Sequence, residues 1–174
     1  MDRRKPLRTG ILLSIVLLSL PGAGWVSAQE KATTEPLPVE VHEDIRVVYQ
    51  INTDDWKDGV GKGLLYLKKL TDAYEKMGIT EKDRAISAVF HGKAGYWMLN
   101  DKAFAAFRKA DGENPNKELI AALDKEGVSI ELCDETRKSH GWKPEDLLPQ
   151  VRTVVGAYPR IIDLQMQGYA YISF

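Results

Sequence analysis

The stretch "KELIAALDKEGVSIELCDETRKSHGW" (117–142) decides the fold. Residues 117–127 read as a helix that stops at a glycine, Gly127. Residues 128–132 then read as a short buried strand. Cys133 follows at once, and the polar run 133–142 begins a short helix or turn. Strand parity divides the strand: Val128, Ile130 and Leu132 share one face, and Ser129, Glu131 and Cys133 share the other. The chain's one cysteine therefore lies on the face that carries polar residues.

The same alternation extends in both directions. "IRVVYQI" (45–51) is rich in β-branched residues and reads as a strand. Asp54 and Asp55 are N-cap candidates for a helix ending at Gly78, with Val60, Leu64, Leu67, Tyr74 and Met77 near helical spacing. "RAISAVFHG" (84–92) is a second strand, and residues 94–110 read as one helix. After Cys133, "KPEDLLPQV" (143–151) continues the short helix or turn, and "RTVVGA" (152–157) is a fourth strand. "YPRIIDLQMQG" (158–168) is a helix with Pro159 in its first turn, and "YAYISF" (169–174) is a final strand. Strands alternating with helices predict an α/β layered domain with a mostly parallel sheet.

The first 28 residues stand apart from that domain. Arg3, Arg4, Lys5 and Arg8 form a basic start, "ILLSIVLLSL" (11–20) is an apolar run, and "VSA" (26–28) supplies small residues at a cleavage site. The run is short for a membrane span of roughly 20 residues. These features predict a signal peptide over 1–28, cleaved after Ala28, and a periplasmic or secreted protein with no membrane attachment after cleavage. Residues 29–43, with two prolines and no period, read as a flexible lead-in to a domain over 44–174. The leader holds four of the 24 Lys and Arg and one of the 25 Asp and Glu, so the remainder carries 20 minus 24, or −4. A mildly acidic exported domain has no electrostatic case for nucleic acid.

Reactive groups in open parallel sheets collect beyond the carboxyl ends of the strands. Asn52, His91 and Cys133 fall there. A helix starting at Cys133 brings Arg137 to i+4 and His140 to i+7, along one face. A thiol at a helix N-terminus beside a cation has a lowered pKa. A lone cysteine closes no internal disulfide, so Cys133 is either inert packing, paired with another molecule, or free for chemistry, and the residues alone leave these open. Cys133 with His91 or His140 matches no metal-ligand spacing, and no metal or cofactor is expected. "GVGKG" (59–63) is not a phosphate loop, because Lys62 is followed by Gly63. Small residues packed close to the sheet explain it better. The "YWM" of 96–98 reads as core or interface.

"VFHG" after the second strand, "GVSIELC" at the third, a threonine three residues after the cysteine, "LLPQVRTVVGA" and the closing "LQMQGYAYI" together resemble the DsrE/DsrF-like family over roughly residues 45–174. The resemblance implies a three-layer α/β/α domain of about five strands with flavodoxin-like topology. It implies a homotrimer or homohexamer, an expectation to which "YWM" and "LLYL" (64–67) add apolar residues beyond one stripe per helix. It implies a sulfur-handling role in which Cys133 carries sulfur as a persulfide, between donor and acceptor proteins or small thiols. His91 would then transfer a proton and Arg137 stabilise the thiolate, with Asn52, Thr136 and His140 around the site. The other reading is a non-catalytic oligomeric binding module in which Cys133 lines a pocket.

Export should remove residues 1–28. The intact mass of the protein recovered outside the cytoplasm should begin at Gln29, and a mass retaining Met1 to Ala28 would make it a membrane-anchored protein instead.

Overall fold

The computed structural model describes residues 35–174, so the expected leader over 1–28 lies outside the described residues. From Val39 to Phe174 the chain forms one unit. Five strands form one parallel sheet: β1 (Ile45–Ile51), β4 (Arg84–Phe90), β5 (Val128–Cys133), β6 (Arg152–Val154) and β7 (Ala170–Ser173). A two-stranded hairpin, β2 (Trp56–Lys57) with β3 (Val60–Gly61), follows β1. The helices are α1 (Lys62–Lys76), α2 (Asp101–Arg108), α3 (Lys117–Lys125), α4 (Asp134–Ser139) and α5 (Ala157–Met166), with 3-10 turns at Gly92–Met98 and Pro144–Asp146.

The strand order is β6-β5-β4-β1-β7. In the flavodoxin order the first strand lies between the second and third. Here β1 lies between β4 and β7, the second and fifth strands of the sheet, so the expected parallel α/β class holds with a strand order of its own. The chain builds outward from β1 through β4 and β5 to β6, then crosses back through α5 to place β7 on the other side of β1.

The two faces of the sheet differ as the parity of each strand requires. Val47, Tyr49 and Ile51, Ile86, Ala88 and Phe90, and Val128, Ile130 and Leu132 face one way. With Leu64 and Leu67 of α1, Phe104 of α2 and Ile120 and Leu123 of α3 they form the main core. Each Val, Ile, Leu and Phe among them, fully withdrawn from water, contributes about 1.5–3 kcal/mol of transfer free energy. The opposite face presents Val48, Val89 and Cys133 to Ala157, Ile161 and Leu164 of α5. It also carries Gln50, Ser87, His91, Ser129 and Glu131 by the same alternation.

Three local expectations are corrected. The helix expected over 94–110 is two elements: Leu99 is extended and bridges Leu147, and the Asn100 side chain accepts from the Ala103 N–H at 2.9 Å to start α2 afresh. The helix expected to start at Asp54 or Asp55 starts at Lys62, after the hairpin, where the Lys62 N–H donates to the Asp55 carbonyl. The strand expected over 152–157 ends at Val154, because Gly156 already caps α5. The glycines of 59–63 do serve close packing. A Cβ on Gly61 would lie 2.5 Å from the Trp97 ring, and one on Gly63 would lie 2.8 Å from Ile51. "YWM" (96–98) is interior, with Tyr96 3 % and Trp97 and Met98 0 % exposed, so it adds nothing to an external apolar surface.

Candidate functional site

The parallel register puts the expected residues in a row at the carboxyl edge. Ile51 pairs with Phe90 and Phe90 with Leu132, so the next position on each strand aligns Asn52, His91 and Cys133. Cys133 in turn pairs with Val154 of β6. Adjacent strands lie about 4.8 Å apart, and His91 and Cys133 point to the same face, toward α5. Both are buried.

His91 is held on two sides. The Gln50 amide and the His91 Nε2 lie 2.8 Å apart, and the Tyr158 ring meets the imidazole edge-on with centroids 5.4 Å apart. With Gln50 donating to Nε2, the imidazole proton sits on Nδ1. The Gln50 carbonyl oxygen accepts from the Tyr171 hydroxyl. Burial holds the His91 pKa below its ordinary value of 6.5, so the ring is neutral at pH 7.

Cys133 ends β5 and is the N-cap residue of α4. The sulfur lies in the apolar cluster beneath α5, and the residue is 6 % exposed. Arg137 is not drawn toward it. Its Nε donates to Asp134 Oδ1 at 2.7 Å and its Nη1 to the Trp142 carbonyl at 2.6 Å. Helix α4 spans only six residues, and Gly141, with φ of 69°, turns the chain away. His140 consequently stacks on Trp142, centroids 4.4 Å apart, on the side of the main core. The single face expected for Cys133, Arg137 and His140 does not form. Thr136 Oγ1 accepts from the Gly92 N–H at 3.2 Å, tying α4 to the segment after β4. Asn52 donates its backbone N–H to the Phe174 carbonyl and lines a cavity of about 590 Å³ with His91, Gly92, Lys93 and Tyr158.

Glu131, which sequence reasoning placed on the polar face without a role, fastens this side of the molecule. It is 2 % exposed and accepts two bonds from Arg160 of α5, from Nε and Nη2, both at 2.8 Å, and a third from Ser129 at 3.0 Å. Its parity was the available signal: a carboxylate on a covered sheet face requires a cation. Which cation was not legible, because Arg160 lies 29 residues away.

Among the described residues no cluster of three or more His, Cys, Asp or Glu has the geometry of a metal site, and no helix is long and apolar enough to cross a membrane.

Comparison with known proteins gives a family and a fold. The model of the DsrE/DsrF-like family matches residues 65–174. The protein of unknown function MTH1491 from Methanobacterium thermoautotrophicum superposes with a TM-score of 0.56 at 22 % identity, covering 75 % of this chain and 100 % of that one. The ychN protein from E. coli superposes with a TM-score of 0.52 at 12 % identity, with the same coverage of 75 % and 100 %. Regulatory protein RecX of Bacillus licheniformis is 33 % identical over 104 residues, a match spanning 53 % of this chain and only 38 % of that protein.

Removing the partner of a buried carboxylate leaves an uncompensated charge. Arg160→Ala should lower unfolding free energy by about 3–5 kcal/mol, whereas the paired replacement Glu131→Leu with Arg160→Met should restore much of that loss. Urea unfolding of the three proteins measures both. Equal losses in the single and double variants would show that the pair does not fasten α5.

Proposed function

The chain belongs to the DsrE/DsrF-like family, which is generally linked to sulfur relay, and from that premise we propose that it is an exported sulfur-handling protein whose Cys133 accepts sulfane sulfur as a persulfide. The observation that carries this reading is the row at the carboxyl edge, where register sets the neutral His91 beside Cys133 on the face covered by α5. The step is a thiol exchange. The Cys133 thiolate attacks the outer sulfur of a donor persulfide, a bond forms to Sγ, and the donor's own S–S bond breaks. The donor leaves as a thiolate and takes up the proton that Cys133 gave; His91 passes it once the Gln50 amide swings off Nε2 and frees that lone pair. No electrons are gained or lost overall. A second exchange hands the sulfur to an acceptor thiol, from a protein or a small molecule. Burial beneath Ala157 and Ile161 means that a donor reaches Cys133 when the first turn of α5 lifts, and Gly156 at its start gives that turn a hinge.

Cys133's burial among Val48, Val89 and Leu164 equally favours a second reading, an oligomeric binding module in which the thiol is only packing. In either case the protein is a homo-oligomer, a trimer or hexamer. An exposed apolar stripe runs along α5, where Tyr158, Ile162 and Met166 recur at helical spacing and are 65 %, 60 % and 84 % exposed, next to Val155 at 86 %.

Incubating the native, reduced protein with polysulfide should add about 32 Da, removable by a reductant, and Cys133→Ser should gain nothing. If the thiol reacts only after denaturation, the persulfide reading falls and the binding module takes its place.

Ile162→Asp should shift the assembly to monomers in sedimentation at micromolar concentration without loss of helical signal. A wild-type protein that already sediments as a monomer removes the oligomer proposal.

A further inference from the structure

The segment after β4 builds a second concavity, on the opposite side of the sheet from the Cys133 cluster. Tyr96, Phe107, Trp142 and His140 form a continuous aromatic wall. Tyr96 stacks on Phe107 with centroids 4.9 Å apart, Phe107 meets Trp142 edge-on at 5.4 Å, and His140 stacks on Trp142. Together with Asp54, Gly92, Lys93 and Arg108 they enclose about 320 Å³. That volume holds one or two fused rings, within the range of small-molecule sites. Trp142 and Tyr96 are fully part of the main core, while Phe107 and His140 are exposed, so the wall is rigid behind and open in front.

Charge decides what kind of ring fits. Aromatic walls with a carboxylate nearby commonly hold a cation, but that place is already filled. The Arg108 guanidinium lies 5.6 Å from the Tyr96 ring and 6.0 Å from the Trp56 ring and donates to the Tyr96 hydroxyl at 3.0 Å. The Asp54 carboxylate is bonded by neutral donors, with Oδ1 accepting from Tyr96 at 2.5 Å and Trp56 at 2.7 Å, and because it lines the same bay a ligand anion sits away from it, toward Lys93. What remains at the rim is Lys93, without an ion pair or hydrogen bond among the described residues, and the other donors of Arg108. The adjoining cavity of about 400 Å³ carries Asp111, which repels an anion and favours the bay between Lys93 and Arg108, while Glu113 there is paired with Lys117.

We propose that this bay binds a small planar aromatic carboxylate, its ring against Phe107 and Trp142 and its carboxylate between Lys93 and Arg108. The site uses no property of Cys133 and stands whether or not the sulfur chemistry does.

Isothermal titration calorimetry with 2-naphthoate tests it. Naphthoate should bind at one site per chain, and 2-naphthamide, which keeps the ring without the charge, should bind at least roughly tenfold more weakly. Cyclohexanecarboxylate, which keeps the charge without the flat ring, should also bind weakly. Arg108→Gln and Lys93→Gln should each weaken naphthoate by roughly three- to tenfold, Phe107→Leu by a similar factor, and Cys133→Ser not at all. Lys93 is exposed and unbonded, so its variant keeps the test valid if Arg108→Gln disturbs the fold. No binding at millimolar naphthoate, equal binding of the amide, or unchanged affinity in both Lys93→Gln and Phe107→Leu overturns the proposal.

Discussion

The ion pair between Glu131 and Arg160 sets the geometry of one whole side of the molecule. Glu131 sits on β5, a strand with neighbours on both sides, and is withdrawn from water. A carboxylate there is tolerated only with full compensation, and a guanidinium meeting both oxygens supplies it. Arg160 belongs to the first turns of α5, so satisfying Glu131 also fixes where that helix crosses the sheet. The cover over Cys133, the approach of Tyr158 to His91 and the return of the chain to β7 all follow from that position.

This arrangement explains why the polar chemistry lies on the α5 face. The other face is apolar at almost every position and is packed by α1, α2 and α3, leaving no room for a buried charge. The α5 face alternates apolar residues with Gln50, Ser87, His91, Ser129 and Glu131. Each polar group needs a partner when covered: Gln50 bonds His91 and Tyr171, and Ser129 and Arg160 bond Glu131. Only a small apolar cluster remains between them, and Cys133 is part of it. A helix held by one ion pair and a small cluster opens more readily than one embedded in a large core.

At the carboxyl edge the segment from His91 to Met98 belongs to both sides. His91 faces α5, while Tyr96 and Trp97 close the main core. The Gly92 N–H bonds Thr136, so α4 and this segment form a single wall between the two concavities. Asp54, Gly92 and Lys93 line both cavities along that edge. The edge therefore joins the cysteine row and the aromatic bay while keeping their side chains in separate layers.

Much of this was legible from residue order alone, and the reason is that it is local. Five runs of β-branched and apolar residues mark the five strands, and the alternation in 128–133 assigns Cys133 and Glu131 to the same face before any contact is known. Gly127 ends α3 as expected, and Gly61 and Gly63 are small because Trp97 and Ile51 lie against them. The break at Asn100 was not legible, because a helical pattern on both sides conceals a cap and an extended residue whose partner, Leu147, is far along the chain. Nor was the fate of Arg137, which the spacing directs toward Cys133 and the fold directs to Asp134 and Trp142. Periodicity fixes which face a side chain takes, since it depends only on the geometry of the residue's own strand or helix. The strand order, the pairing of Glu131 with Arg160 and the aromatic bay depend on which distant segments meet, and that is decided only when all the faces are buried together.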